Sequence, residues 1–245
     1  MFDIHSHILP GLDDGPSSLE KAEKMLIQAY NEGITRILCT PHYNAITSFE
    51  FMKNLSMIFL DLKQIAYHIS PLIRLYQGAE IYYDSRILDL LKKGLCPSLN
   101  NTSYILVEFP TDVDYSYLSH CIREIRMANY IPILAHIERY KVLHDVQIVR
   151  DIVYLGAYTQ INTGTVTGKH GVSLQSVSHK LLQADLVHFI GTDAHNPLKR
   201  WPAARKCIKT LDRKIGIEAR KRITEHNFMK VIENKVIDID PITFN

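Results

Sequence analysis

Two histidines, His5 and His7, stand two positions apart in the opening stretch MFDIHSHILPGLDDG, just after an apolar start. Alternate residues of an extended strand project from the same face, so both imidazoles can reach one ion. Asp14 follows in the next loop. The spacing indicates a divalent metal site at the end of a first strand. Taken alone, the stretch is equally compatible with a polar N-terminus that carries incidental histidines.

Residues of the same chemical types follow other strand-like segments. Gathered carboxylates repel one another strongly when buried, so divalent cations are their natural counter-charge. Histidine and carboxylate ligands without thiolates favour manganese, iron or zinc over magnesium or calcium. Two or three such ions can activate water near neutral pH and bind an anionic substrate. The predicted ligands are His5, His7, Asp14, His42, Glu80, Glu108, His136, Asp193 and His195.

Alternating strand-like and helix-like segments must position these residues. Strands are predicted at 2–5, 36–42, 73–83, 103–110, 131–139, 158–164 and 186–195, and helices near 17–32, 48–69, 84–93, 115–129, 145–156, 171–185 and 199–213. This alternation predicts an α/β fold with a parallel sheet. Seven buried strands favour a barrel, whose strands all end at one rim, where the metal site is expected. An open doubly wound sheet is the alternative, although no GxGxxG or Walker motif follows any strand.

The composition fits one globular domain over residues 1–245, with 46% hydrophobic and 22% charged residues. A net charge of +2 is too small to indicate nucleic-acid binding. Four scattered cysteines without CxxC spacing favour a reducing, cytoplasmic location. We find no signal peptide and no apolar run long enough to span a membrane, so any membrane association is expected to require a partner.

Several motifs occur together and in a specific order, from His5 to about Arg200: HSH, DDG, TPHY, GAEIYY, LVEFP, AHIERY and TDAHN. Together they resemble the PHP (polymerase and histidinol phosphatase) superfamily. Within it, the sequence is most similar to the manganese-dependent tyrosine-protein phosphatases of Gram-positive capsule and exopolysaccharide gene clusters. The resemblance implies a distorted seven-stranded TIM-like barrel with two or three Mn²⁺ ions, for which iron, zinc or cobalt are candidate substitutes.

The resemblance also implies roles for particular residues. One ion would be bound by His5, His7, Glu80 and Asp193, a second by Glu80, Glu108 and His136, and a third by Asp14, His42 and His195. Arg139 and Arg200 would contact phosphate, for which the guanidinium group is well suited. With His42 and His136 they form the predicted catalytic set. The remaining histidines, at positions 68, 120, 144, 170, 179, 188 and 226, are interpreted as non-ligands.

The implied reaction is hydrolysis of phosphotyrosine by activated water, without a covalent enzyme intermediate. The implied substrate is the tyrosine-rich C-terminal tail of a membrane-associated tyrosine autokinase that controls polysaccharide synthesis. Residues 199–222 carry ten basic and two acidic side chains, and form either a docking face or an ordinary solvated helix face. Rim tyrosines could stack on a substrate ring or simply pack in the core: Tyr43, Tyr82, Tyr83, Tyr115 and Tyr140.

Other functions remain as alternatives. A small-molecule phosphomonoesterase, such as a histidinol-phosphate phosphatase, would have the same metal site. A nuclease would favour a broader basic surface, and a silent module that sequesters the kinase tail would not need intact ligands. Cys207 and Arg213 have the C-x5-R spacing of cysteine-dependent tyrosine phosphatases, but the segment is helical and lacks glycine. The sequence is compatible with a monomer or an oligomer.

Overall fold

A computed structural model describes residues 1–46 and 48–238. Residue 47 and residues 239–245 of the predicted 1–245 domain lie outside the described residues. Within that range the strands are β1 (Phe2–Ser6), β2 (Arg36–Cys39), β3 (His42–Tyr43), β4 (Arg74–Gln77), β5 (Glu80–Tyr82), β6 (Tyr104–Glu108), β7 (Ile131–Leu134), β8 (Tyr158–Asn162) and β9 (Phe189–Gly191).

Helices follow the strands in alternation, as the sequence predicts. They are α1 (Leu19–Asn31), α2 (Ser48–Ile69), α3 (Ile87–Lys92), α4 (Tyr115–Met127), α5 (Val146–Tyr154), α6 (Thr163–Val166), α7 (Val172–Gln183), α8 (Arg205–Ile215), α9 (Ile217–Lys221) and α10 (Asn227–Ile232). A π-helical turn at Arg222–His226 joins the last two. The helix predicted at 199–213 begins only at Arg205, because 201–204 have no regular structure and include Pro202.

All strand pairs are parallel. One sheet has the order β1-β2-β4 and the other the order β3-β5-β6-β7-β8-β9. An isolated parallel bridge between Ser6 and Ala194 links the end of β1 to the chain after β9. The predicted parallel α/β organisation is therefore present.

Two predicted strands, 36–42 and 73–83, are each interrupted. The first breaks at Thr40-Pro41, where proline removes a backbone donor from the ladder. The second breaks at Gly78-Ala79, where a Cβ at Gly78 would lie 2.8 Å from Leu99 Cδ2, so a larger residue would require the Leu99 side chain to move. The predicted strands 131–139 and 186–195 are also shorter, since the chain turns after Leu134 and Gly191.

The strands are buried on both faces. Within β2, Ile37 and Cys39 belong to the large apolar cluster that also contains the helix residues Met25 and Leu26, whereas Leu38 belongs to a second cluster. That second cluster joins Ile4, Leu106, Ile133 and Phe189 to Phe228 and Val231 of α10. Such double burial is typical of parallel sheets covered by helices, and it fixes the strand ends that carry the site. Among the described residues, no helix is long and apolar enough to cross a membrane.

Candidate metal centre

The predicted ligands lie together at the carboxyl ends of the strands. Ligand atoms within 4.8 Å of one another form three groups: His5, His7 and Asp193; His42, Glu80 and Glu108; and His7, Asp14, His42 and His195. His136 lies beside the second group. None of the other seven histidines joins these groups in the part of the chain that the structure describes.

Glu80 lies at the middle of the cluster and is fully buried. Its Oε2 is 3.2 Å from His5 Nε2, 3.1 Å from His7 Nε2 and 3.1 Å from His42 Nδ1. Its Oε1 is 2.8 Å from His136 Nε2. The two oxygens therefore face different imidazoles, an arrangement that suits a carboxylate shared by two ions.

The cluster opens to solvent on the side of Asp14 and His42, whose side chains are 61% and 41% exposed. Asp14 Oδ1 lies 3.2 Å from His195 Nε2 and 3.6 Å from His42 Nε2. Glu108 is 3.4 Å from His136 Nε2 and 3.9 Å from His42 Nδ1. A substrate would therefore approach the cluster from this open side.

The hydrogen bonds of His5 and His7 direct two lone pairs at the same point. His5 Nδ1 lies 3.1 Å from Gln160 Oε1, and His7 Nδ1 lies 2.7 Å from Asp13 Oδ2. Because these oxygens only accept, both Nδ1 atoms carry the proton, and in a neutral ring Nε2 is then a lone pair. The two Nε2 atoms are 3.0 Å apart, next to the Glu80 carboxylate. Without a cation or extra protons this arrangement is repulsive.

His195 repeats this pattern. Its Nδ1 donates to the backbone carbonyl of Asp193 at 3.0 Å, so its Nε2 faces the Asp14 carboxylate as a lone pair. Buried His136 Nδ1 and His195 Nε2 have no hydrogen-bond partner among the described residues. The donor set, the orphaned atoms and the absence of thiolates all fit divalent metal ions.

The backbone is shaped to bring these side chains together. His136 and Asp193 have φ values of 32° and 52°, in the left-handed region that residues other than glycine rarely adopt. Such conformations persist where the surrounding structure imposes them, commonly at functional sites. Gly191 has the opposite role, because a Cβ there would lie 2.6 Å from His5 Cβ. The end of β9 can therefore approach β1 only with glycine at this position.

The charges in the cluster are strongly coupled. Burial opposes a charge on His7, but hydrogen bonds to Asp13 and Glu80 raise its pKa to about 10. Burial likewise opposes the Asp193 carboxylate, but His5 and Arg139 hold its pKa well below the usual range. Burial and then the charge of Glu80 raise the pKa of Glu108. Protons thus balance the carboxylates, and metal ions would compete for the same positions.

Both predicted phosphate-binding arginines reach the cluster through Asp193. Arg139 Nη2 donates to Asp193 Oδ2 at 2.5 Å, and Arg200 Nη2 donates to Asp193 Oδ1 at 2.9 Å. Their side chains are 30% and 39% exposed, so each guanidinium keeps an accessible side. Arg200 also lies 3.8 Å from Asp14.

Sequence reasoning missed Gln160, which contacts two of the predicted ligands. Gln160 Oε1 contacts His5 and accepts from the His136 backbone N–H at 2.8 Å, while its Nε2 donates to Asn162 Oδ1 at 2.8 Å. Asn162 Nδ2 in turn donates to Asp193 Oδ2 at 2.8 Å. The available signal was two amides, two positions apart, on the fully buried strand β8.

Asp13 was also missed in favour of its neighbour Asp14. It accepts from the His42 backbone N–H at 2.8 Å and from the Gly15 N–H at 2.8 Å, in addition to its contact with His7. Both aspartates of the DDG motif therefore belong to the site. Asp13 contacts two of the predicted ligands, His7 and His42, and Asp14 faces the open side.

The stacking role considered for the rim tyrosines is not available to three of them. Tyr43, Tyr83 and Tyr140 are at most 5% exposed and pack in the core, whereas Tyr82 is 46% exposed. The Tyr140 hydroxyl accepts from the Phe109 backbone N–H at 3.1 Å and so supports the end of β6.

The Cys207 motif does not form a phosphate-binding loop. Cys207 is 1% exposed inside α8, and burial raises the pKa of its thiol, which disfavours the reactive thiolate. The four cysteines are all unpaired and buried.

The fold and the site define an α/β protein with a cluster of candidate metal ligands at the carboxyl ends of parallel strands. The family model for capsular polysaccharide synthesis, CpsB/CapC, matches residues 1–233. The chain belongs to this family, and the resemblance expected from its motifs is confirmed.

Characterised relatives cover nearly the whole chain. It is 32% identical to tyrosine-protein phosphatase CpsB of Streptococcus pneumoniae, over 97% of this chain and 100% of the relative. It is 33% identical to tyrosine-protein phosphatase YwqE of Bacillus subtilis (strain 168), over 98% of this chain and 95% of the relative. A solved structure from work on YwqE and CpsB, described as unique metal-dependent tyrosine phosphatases, matches with a TM-score of 0.86 at 30% identity, over 97% of this chain and 96% of the other.

Proposed function

We propose that this protein is a metal-dependent protein-tyrosine phosphatase of the CpsB/CapC family. The observation that carries the proposal is the convergence of five histidines and four carboxylates at one rim, with imidazole lone pairs aimed at shared points. Relatives that bear the name tyrosine-protein phosphatase over their whole length support the substrate class.

We assign the ligands as the family resemblance implies. One ion would be held by His5, His7, Glu80 and Asp193, a second by Glu80, Glu108 and His136, and a third by Asp14, His42 and His195. Two or three Mn²⁺ ions fit this donor set, with iron, zinc or cobalt as substitutes. When bound, they would supply activated water and positive charge for the phosphate oxygens.

The protein's own groups would bind and orient the phosphoryl group. Arg139 and Arg200 are both hydrogen-bonded to Asp193 and partly exposed, so their guanidinium groups can donate to phosphate oxygens and stabilise developing charge. Of the two histidines in the predicted catalytic set, His42 is 41% exposed and His136 only 2%. His42 is therefore better placed to meet the leaving tyrosinate, which needs little protonation because its pKa is near 10.

We further propose a single domain over residues 1–245, in which β2–β3 and β4–β5 are interrupted strands of a distorted seven-stranded TIM-like barrel. The Ser6–Ala194 bridge between β1 and the chain after β9 supports this closure. The proposed substrate is the phosphotyrosine tail of a membrane-associated tyrosine autokinase, through which the enzyme would regulate capsular or exopolysaccharide synthesis. A cytoplasmic location agrees with the unpaired cysteines.

The proposal is tested by metal analysis together with hydrolysis of a phosphotyrosine peptide, in Mn²⁺ and in chelator, with histidinol phosphate as the competing substrate. We expect two or three ions per chain and chelator-sensitive release of phosphate from the peptide. Glu108→Gln and His136→Ala should each lower the rate by at least about 100-fold, because charge stabilisation worth several kcal/mol depends on the ions. Their circular dichroism should match the wild type. Near wild-type hydrolysis by either variant would contradict the cluster mechanism.

A further inference from the structure

A cavity of 560 Å³ lies beside the metal centre, between the chain around α6 and the segment leading into α8. Asp193 and Arg200 form part of its wall, so the cavity is continuous with the proposed phosphate site. We call it the basic cavity. Its wall also contains Lys169, His170, Trp201, Arg205 and Lys206, together with Glu32 and Cys207.

The two carboxylates in the wall, Glu32 and Asp193, are hydrogen-bonded to other groups. Glu32 Oε2 accepts from the backbone N–H groups of Ala204 and Arg205, at 2.9 and 2.8 Å, and so caps the N-terminus of α8. Asp193 is engaged by Arg139 and Arg200. Among the described residues neither carboxylate forms an ion pair with Lys169, Arg205 or Lys206, and the wall holds four lysine or arginine side chains against two carboxylates.

Three cations of the basic cavity have no acidic partner among the residues that the structure describes. Lys169 Nζ donates to the carbonyl oxygen of Lys199 at 2.5 Å, and the Arg205 guanidinium donates to the carbonyl oxygen of Asn31. Within residues 1–46 and 48–238, neither of these cations nor Lys206 forms an ion pair with a carboxylate. The wall thus holds an excess of positive charge next to the proposed phosphate site.

The cavity also has a fixed, partly apolar surface. A Cβ at Gly164 would lie 2.8 Å from His170 Cε1, so the imidazole rests directly against the Gly164 backbone. Its Nδ1 lies 2.9 Å from Thr165 Oγ1, which holds the ring in place. Trp201, the one tryptophan of the chain, is partly exposed and offers a flat surface to a peptide side chain.

We infer that the basic cavity binds the peptide residues next to the phosphotyrosine and selects an anionic group there, either an aspartate or glutamate carboxylate or a second phosphate. This inference rests on the proposed phosphatase function. Lys169, Arg205 and Lys206 would supply the charge, and Trp201 would supply the contact surface. The family resemblance assigns Arg200 to the scissile phosphate, so the selection is made by separate residues.

The test measures kcat and KM of the Mn²⁺-loaded enzyme on four substrates: p-nitrophenyl phosphate, a phosphotyrosine peptide with neutral flanks, one with glutamate flanks, and one with a second phosphotyrosine. The test variant is Lys169→Gln/Lys206→Gln. The matched control, Lys63→Gln/Lys92→Gln, removes two exposed lysines from α2 and α3 and gives the same net charge. We expect the wild type to show a KM roughly 2- to 30-fold lower for anionic flanks, the range of two partly exposed ion pairs. The difference should shrink at high salt.

The inference is supported if Lys169→Gln/Lys206→Gln loses this preference, keeps its activity on p-nitrophenyl phosphate, and the control keeps both. A lower KM for both anionic peptides identifies a general anion site. A lower KM only for the peptide with a second phosphotyrosine identifies a phosphate site. Equal KM values for all peptides in the wild type, or a preference that survives in the test variant, would overturn it. Absence of hydrolysis of every substrate would instead overturn the proposed function.

Discussion

Gln160→Leu should weaken metal binding and lower stability at the same time. Gln160 is fully buried, and its one amide contacts His5 Nδ1 at 3.1 Å, the His136 N–H at 2.8 Å and Asn162 at 2.8 Å. Through Asn162 it also reaches Asp193. The substitution therefore disturbs three proposed ligands without altering any of them.

The size of the effect follows from the groups left unpaired. Leucine is close in volume to glutamine, so no large cavity is expected, but the His5 Nδ1–H and His136 N–H lose their acceptor. Each buried unpaired donor costs about 1–3 kcal/mol, which gives about 2–6 kcal/mol in all. For a chain of this size the melting temperature should fall by roughly 5 to 20 °C. Loss of an orienting hydrogen bond should also weaken metal affinity by about 10- to 100-fold.

Two assays separate these effects. Thermal unfolding in chelator gives the stability of the metal-free protein, and competition with a chelating dye gives its affinity for Mn²⁺. The exposed Gln147 of α5 provides the control, because Gln147→Leu removes an amide far from any ligand contact. If Gln160→Leu binds Mn²⁺ within about twofold of wild type, the proposed role of Gln160 in orienting His5 and His136 is refuted.

Two further predictions concern groups outside the cluster. Cys207→Ser should keep phosphatase activity within about twofold, because the thiol is buried and lies outside the metal centre. Complete loss of activity in a steady-state assay would instead support a mechanism with a cysteine nucleophile. Burial and then Arg222 lower the pKa of His188 to about 3, and its Nδ1 accepts from the Thr159 N–H at 3.2 Å. Because the unfolded pKa is near 6.5, the unfolded state binds more protons below that value, and stability is lost as the pH falls from about 6.5 towards 3. His188→Asn keeps a hydrogen-bond acceptor but does not titrate. Between pH 7 and pH 4.5, the free energy of unfolding of the wild type should therefore fall by about 2–3 kcal/mol more than that of the variant, as measured by urea unfolding in chelator. Parallel pH profiles of the two proteins would contradict this.

Much of the fold was accessible from the sequence because its signals are local. Helix bounds follow apolar spacing and turn residues, so α1, α2 and α4 lie within two residues of their predicted limits. The interruption at Thr40-Pro41 follows from a local feature, the proline, although the predicted strand 36–42 runs through it. The interruption at Gly78-Ala79 lies where the chain packs against Leu99, a contact that only the folded chain shows.

The roles of the rim tyrosines also depended on contacts that the sequence does not show. Their positions near strand ends left stacking and packing equally open, and only neighbours from other elements decide between them. Tyr43 is buried beside Phe51, and Tyr83 is stacked on Phe109 at 5.3 Å between ring centroids. Burial of this kind is a property of the assembled core and cannot be assigned to a residue alone.

By itself, the sequence determined which residue types stand at the ends of the strands, and hence the nine candidate ligands and the family. Tertiary structure alone decided how they are held: Asp13 rather than Asp14 orients His7, and Gln160 with Asn162 connects three ligands across β8. The physical reason is that the capacity of a side chain to bind a metal ion depends on its own functional group, which the sequence gives directly. A hydrogen bond between distant strands exists only once the chain has brought a buried donor and acceptor within about 3 Å of each other.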